Sequence, residues 1–283
     1  MQFPAFELRC RFQLASGMKN VYTLQVLQNG LREGSPPEPA LGRVLRKRAG
    51  ILAALIVLTT LPLSATDNDP YIREEFADLE NWEPLEFPAI PRHTDYSIES
   101  EGDSHYLKAE SSASSSGLIF TAQFDVYRYP KMRWRWKVDN VYTGEQVNKA
   151  RAKEGDDYPI RIYIIFQYDP EQADPLQRLT YIAAKRRYGE YPPHSALNYV
   201  WASNYRSQST MTNPYSSRSK MIFLRMGDEQ EGRWVEESVD ILEDYRRVFG
   251  KNPPATAGLA IMNDSDDTGQ SSVSYVDFIE VYR

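Results

Sequence analysis

Two groups of acidic residues carry the clearest chemical potential in this chain: the pair Asp156-Asp157 and the run Asp264-Ser265-Asp266-Asp267-Thr268-Gly269. A carboxylate pair can supply a general base. With His194 or Tyr163 facing it across a cleft, the pair would suit hydrolysis or elimination on a glycan. The plainer reading is a loop whose acids hold a nearby arginine such as Arg161. In the second run, Asp264, Asp266 and Thr268 place oxygen at the first, third and fifth positions, with glycine sixth. A calcium loop has that spacing, because Ca²⁺ takes six to eight oxygens around a sharp turn. The twelfth position is Tyr275 rather than glutamate, so this is no EF-hand, and a solvated acidic turn competes with a metal loop. Calcium is the one cofactor suggested. No GxGxxG, P-loop, HExxH or GxSxG pattern is present to imply an organic cofactor or a familiar catalytic set.

Cations and aromatic rings form the second candidate set. Arg133, Arg135 and Lys137 alternate with Met132, Trp134, Trp136 and Val138, while Arg161 and Tyr163 alternate with Ile160, Ile162 and Ile164. Period-two alternation puts each set on one face of a strand. If the two strands are neighbours, their polar faces form a cationic groove with tyrosine at its edge. Guanidinium forks there would bind carboxylate or phosphate, and the rings would stack on sugars. The competing reading is ordinary surface pairing with the plentiful Asp and Glu. Trp134 and Trp136 are expected in the core. Tyr199 and Trp201 share a face with Leu197, which favours core, but Asn198, Ser203 and Asn204 beside them permit a pocket rim. The predicted ligand set is Arg133, Arg135, Asp156, Asp157, Arg161, Tyr163, Asn198, Tyr199 and Trp201.

Strands must position these residues. Alternation predicts strands near 104–110, 117–124, 132–138, 158–168, 197–204, 220–226, 233–239, 258–262 and 273–282. Two helices interrupt them. One opens at Asp174-Pro175-Leu176-Gln177, an N-cap acid followed by proline, with Leu176, Leu179, Ile182 and Ala183 as its apolar stripe. The other runs from a cap at Asp240 to Gly250. So many strands without regular β–α alternation predict a mainly β fold, an antiparallel β-sandwich with two short peripheral helices.

The basic cluster Arg43 to Arg48 and the apolar run Ala49–Leu63 read as a signal peptide, too short to span a bilayer of ~30 Å. The expected organisation is a doubtful extension over 1–42, read as lying upstream of the true start codon, a signal over 43–65 cleaved after Ala65, and one domain over 66–283. That predicts a periplasmic or secreted protein with no stable membrane insertion after cleavage. The sole cysteine, Cys10, lies in the extension, so the exported part has no disulfide to rely on. Beyond Ala65 the chain carries 25 basic and 36 acidic residues, a net charge of −11. This field disfavours nucleic-acid binding.

Six segments in order resemble domain of unknown function 3047. They are Trp134-Arg135-Trp136-Lys137, the stretch 155–163, Leu197–Ala202, Asn213-Pro214-Tyr215, Glu243–Gly250 and Met262–Gly269. The resemblance implies an exported bacterial protein and carries over no catalytic residue. A weaker similarity, to carbohydrate-binding jelly rolls of the galactose-binding-like type, rests on Glu75–Trp82 and Tyr275–Tyr282. It implies that the first and last strands meet, and that acids from both ends, Glu75, Asp78 and Asp277, can share a structural calcium. The expected function is a noncatalytic envelope module for a saccharide or a small anionic or polyol ligand. Two alternatives remain: a glycan hydrolase or lyase using Asp156, Asp157 and His194, and an envelope assembly protein.

Overall fold

The computed structural model describes residues 70–149, 155–171, 173–188 and 191–283. The extension and signal expected over 1–65 lie outside them. Among the described residues no helix is long and apolar enough to cross a membrane.

Two sheets face each other. The six-stranded sheet has the order β11 (Val235–Asp240), β6 (Lys131–Val138), β13 (Ser271–Tyr282), β4 (Ser104–Ser112), β3 (Asp95–Glu101), with β1 (Ile72–Glu74) also on β13. The seven-stranded sheet runs β2 (Trp82–Glu86), β5 (Ser115–Asp125), β12 (Thr256–Asp264), β7 (Ile160–Phe166), β8 (Ser195–Ala202), β10 (Ser216–Met226), β9 (Thr210–Asn213). The chain steps between sheets from β4 through β7 and again from β11 to β13, which is the wiring of a jelly roll. The first and last strands meet, Ile72 opposite Val281.

One pairing departs from the antiparallel expectation: β8 and β10 run parallel. A parallel neighbour needs a long connection. Residues 203–215 supply it and contribute the edge strand β9 on the way.

The core follows from alternation. Trp134 and Trp136 are fully buried and pack edge to face 5.3 Å apart; Tyr199 approaches the first and Trp201 the second. Ile160, Ile162, Ile164 and Phe166 meet them from the facing sheet. Helix α2 (Ile241–Phe249) closes one end of the sandwich with Ile241 and Tyr245, both fully buried. Its limits are set chemically: the Asp240 side chain accepts from the Glu243 N–H, and Gly250 at φ 68° ends the helix.

Helix α1 (Pro175–Tyr188) starts as predicted, with the Gln177 N–H donating to Asp174 Oδ1 at 2.8 Å. Its orientation does not match the expected stripe. Leu176 and Leu179 are 69% and 65% exposed, whereas Tyr181 and Ala184 are the buried positions. The Tyr181 ring stacks on Tyr168 with centroids 3.7 Å apart, and that contact fixes the helix more firmly than aliphatic periodicity does.

Candidate functional site

The expected groove joining Arg133 and Arg135 to Arg161 and Tyr163 does not form, because β6 and β7 belong to different sheets. The residues divide between the outer face of the six-stranded sheet and a buried cluster at one end of the other.

On the six-stranded sheet, Arg133 and Arg135 face outward on β6 and each finds a carboxylate. Arg133 Nε lies 2.5 Å from Glu280 Oε2, Arg135 Nη2 2.6 Å from Asp277, and Lys137 Nζ 3.6 Å from Asp139. A bulge between Val276 and Phe278 brings both Asp277 and Phe278 to the rim of a groove of about 540 Å³ that Arg73, Glu75, Arg133 and Arg135 also line. Beside it, three partly exposed rings form a triangle. Tyr106 lies 5.5 Å from Trp234 and 5.7 Å from Tyr275, and Trp234 lies 6.1 Å from Tyr275. Arg135 sits 5.1 Å from the Trp234 ring and Lys137 4.0 Å from that of Tyr275. Sequence reading missed this triangle although a signal existed. Tyr106 alternates with Leu107 and Ala109, and Tyr275 with Val276, in the pattern of outward-facing rings.

The second region is electrostatically unusual. Arg161 is 1% exposed and bridges two acids: Nη1 meets Asp156 Oδ2 at 3.2 Å, and Nη2 is paired with Asp264 Oδ2. Asp264 Oδ1 accepts from the Tyr158 N–H, joining the segment before β7 to the end of β12. Asp157 accepts from the N–H groups of Asp267 and Thr268, pinning the 264–269 loop. Oxygen atoms of Asp157, Asp264 and Asp266 lie within 4.8 Å of one another. Counting Asp156 and Asp267, five carboxylates gather in this region, and Arg161 pairs with two of them. Burial raises the pKa of Asp156, Asp264 and Asp266, and it pushes Asp267 up to about 7, with Asp157 and Asp266 adding repulsion.

This cluster could hold a metal ion, with a different ligand set from the one the loop spacing suggests. Asp264 and Asp266 are in it. Thr268 instead directs its hydroxyl to the Ser265 carbonyl, and Asp157 stands in its place. The set from the chain ends does not assemble: Glu75 pairs with Arg73, Asp78 caps the Glu80 N–H, and Asp277 holds Arg135.

Other candidates are covered. Tyr163, Asn198, Tyr199 and Trp201 are all 3% exposed or less. Tyr199 and Trp201 belong to the core between the sheets. Tyr163 and Asn198 face away from it but lie under the segments that cloak the seven-stranded sheet, among them Phe87 and Ile90 beside Tyr163. His194 stands at the Phe166 end of β7 and the aspartates at the Ile160 end, roughly 20 Å apart by strand rise. The alternative catalytic set of Asp156, Asp157 and His194 therefore does not converge. His194 contacts Ser195 Oγ at 2.8 Å, and burial, with Lys251 and Arg218, lowers its pKa to about 4.

Among solved structures, the Emp47p carbohydrate recognition domain aligns with a TM-score of 0.40 at 10% identity, over 77% of this chain and 98% of that one. Endoglucanase 3 of Trichoderma harzianum, family GH12, aligns at 0.35 and 11%, over 72% and 98%. The enzymatically active domain of bacteriophage CBA120 tailspike protein 4 aligns at 0.33 and 8%, over 72% of this chain but only 20% of that one. No curated protein matches the chain. The family model for DUF3047, described as a protein of unknown function, matches residues 80–280. With most of both sheets inside that match, the chain belongs to the DUF3047 family.

Proposed function

We propose that this protein is a noncatalytic saccharide-binding module exported to the bacterial envelope, with its ligand lying along the outer face of the six-stranded sheet. The observation that carries this reading is the triangle of Tyr106, Trp234 and Tyr275 beside a groove of paired charges. Partly exposed rings offer apolar faces to the C–H faces of a sugar. The ion pairs Arg133–Glu280 and Arg135–Asp277 offer donors and acceptors to its hydroxyls. Since each arginine already has a carboxylate, the face suits a neutral saccharide better than a polyanion.

Calcium is the cation proposed for Asp157, Asp264 and Asp266. The fit is a matter of charge and oxygen donors. Three carboxylates converge, and Arg161 balances only part of their charge. A divalent cation there would hold the 155–158 segment against the 264–269 loop.

A glycan array followed by affinity electrophoresis tests the binding claim. Retention by neutral polysaccharide, lost in Trp234→Ala and without release of reducing ends, is the expected result. Turnover of a bound glycan would replace the module with an enzyme. Failure of every glycan, with a copurifying envelope protein, would replace it with an assembly role.

A further inference from the structure

A second groove, of about 630 Å³, lies on the seven-stranded sheet between β9, β10 and the last turn of α2. Gln208, Thr210, Thr212, Lys220, Arg247 and Val248 line it, and among the described residues no acid does. In a chain with 39 acidic and 33 basic residues, a lining with two cations, of which only Arg247 has an acidic partner, is the informative feature.

Lys220 is the centre of the argument. A lysine on a sheet ordinarily extends its ammonium into water. Here Nζ is also held by the protein, donating to Thr212 Oγ1 at 2.7 Å and lying 5.7 Å from the Phe249 ring. Among the described residues no carboxylate pairs with it, whereas Lys108, Lys137, Arg133, Arg135, Arg161 and Arg225 all have acidic partners. Its pKa is lowered by burial, with no acid acting to raise it. Arg247 is the second cation. One of its N–H groups meets Asp244, which also accepts from the Tyr199 hydroxyl, and its side chain is 50% exposed. Four further N–H donors remain on its guanidinium fork.

We infer that this groove binds a small oxyanion, the carboxylate or phosphate of a polar ligand, between the Lys220 ammonium and the Arg247 guanidinium, with the Thr210 and Thr212 hydroxyls beside it. Lysine supplies a compact charge and arginine a planar fork, a pairing suited to either group. The volume is that of a small-molecule site. The inference is independent of the saccharide reading, because the aromatic triangle lies on the opposite sheet.

Isothermal titration of the full chain carrying Trp234→Ala, which removes the saccharide face, at low salt, with sodium glucuronate, inorganic phosphate and glucose as separate titrants, tests it. The expected result is saturable binding of glucuronate or phosphate, whichever binds more tightly naming the anionic group, with no heat from glucose. Lys220→Gln should weaken binding at least tenfold, Arg247→Gln severalfold, and added salt should weaken it further. Trp234→Ala should bind the anion as the unaltered chain does. Arg247 is half exposed, so its variant keeps the test decisive even if Lys220→Gln lowers the melting temperature. Silence from both anions, or glucose binding as well as glucuronate, would overturn the inference. So would affinity unchanged in both variants.

Discussion

Arg161 on β7 and Asp264 on the adjacent β12 form a buried ion pair that fastens the 264–269 loop to the sheet, and Asp156 shares the same guanidinium. Removing the cation would strand two carboxylates away from water. Breaking a buried pair from one side costs about 3–5 kcal/mol. Arg161→Met should therefore lower the unfolding free energy in urea by about that much at pH 7.5. The loss should shrink at pH 5, where the stranded acids can protonate. A variant within about 1 kcal/mol of the unaltered protein at pH 7.5 would contradict this account.

Burial of these aspartates, with their mutual repulsion added, sets the pH dependence. Asp267, with its pKa pushed up to about 7, binds more protons folded than unfolded between about pH 4 and 7. Its contribution to stability therefore grows as pH falls through 7 and is absent above it. Asp156, Asp264 and Asp266 shift in the same direction. His194, lowered to about 4, acts oppositely, removing stability as pH falls from about 6.5 to 4. The window above pH 6.5 isolates the aspartates. Melting temperature should rise from pH 8 to 6.5, and Asp267→Asn should reduce that slope.

The calcium proposed for Asp157, Asp264 and Asp266 would compete with protons for the same oxygens. Millimolar Ca²⁺ should raise the melting temperature at pH 8 and do much less at pH 5. Asp266→Asn should abolish the shift while leaving the Arg161 pairs in place. No calcium shift at pH 8 would remove the metal from the proposal.

Alternation in sequence found the side of the sheet on which a residue lies but not whether that side is covered. Trp134, Trp136, Arg133 and Arg135 fall where period two predicts. Arg161 and Tyr163 also lie on the expected side, yet all of β7 and β8 are buried on both faces. Their cover includes Phe87 and Ile90 next to Tyr163, and Tyr158 against Val200 and Phe223. These contacts span distant parts of the chain and have no local signature. The strands that escaped prediction are those with weak patterning: β1 has three residues, β2 contains Pro84 at a sheet edge, β3 turns only Tyr96 and Ile98 to the core, and β9 has four residues. Joining Asp157 to Asp264 and Asp266 likewise needed the tertiary contact between two loops.

The two sheet faces predict opposite consequences for tryptophan removal. Trp234 is a partly exposed ring held by Tyr106, Tyr275 and Arg135, contacts worth about 0.5–1.5 kcal/mol. Trp234→Ala should cost little more than that in stability while abolishing saccharide retention. Trp134 is fully buried, and Trp134→Ala should cost about 3–5 kcal/mol. If Trp234→Ala proved as destabilising as Trp134→Ala, the triangle would be part of the core rather than a binding face.

Helix α2 connects stability to the second groove, since Ile241 and Tyr245 plug the sandwich while Arg247 and Val248 form a groove wall. Its first turn depends on the Asp240 side chain accepting from the Glu243 N–H at 2.8 Å. Asp240→Ala should cost about 0.5–2 kcal/mol, the usual loss for an N-cap. Because the cap lies at the far end of the helix from Arg247, a rigid α2 would keep its anion affinity at temperatures well below melting. A helix that frays along its length would lose affinity in proportion to stability. Titrating glucuronate or phosphate, whichever the unaltered chain binds, into Asp240→Ala at 10 °C and 30 °C separates these cases. The buried anchors Ile241 and Tyr245 favour the first, so affinity should be unchanged at 10 °C.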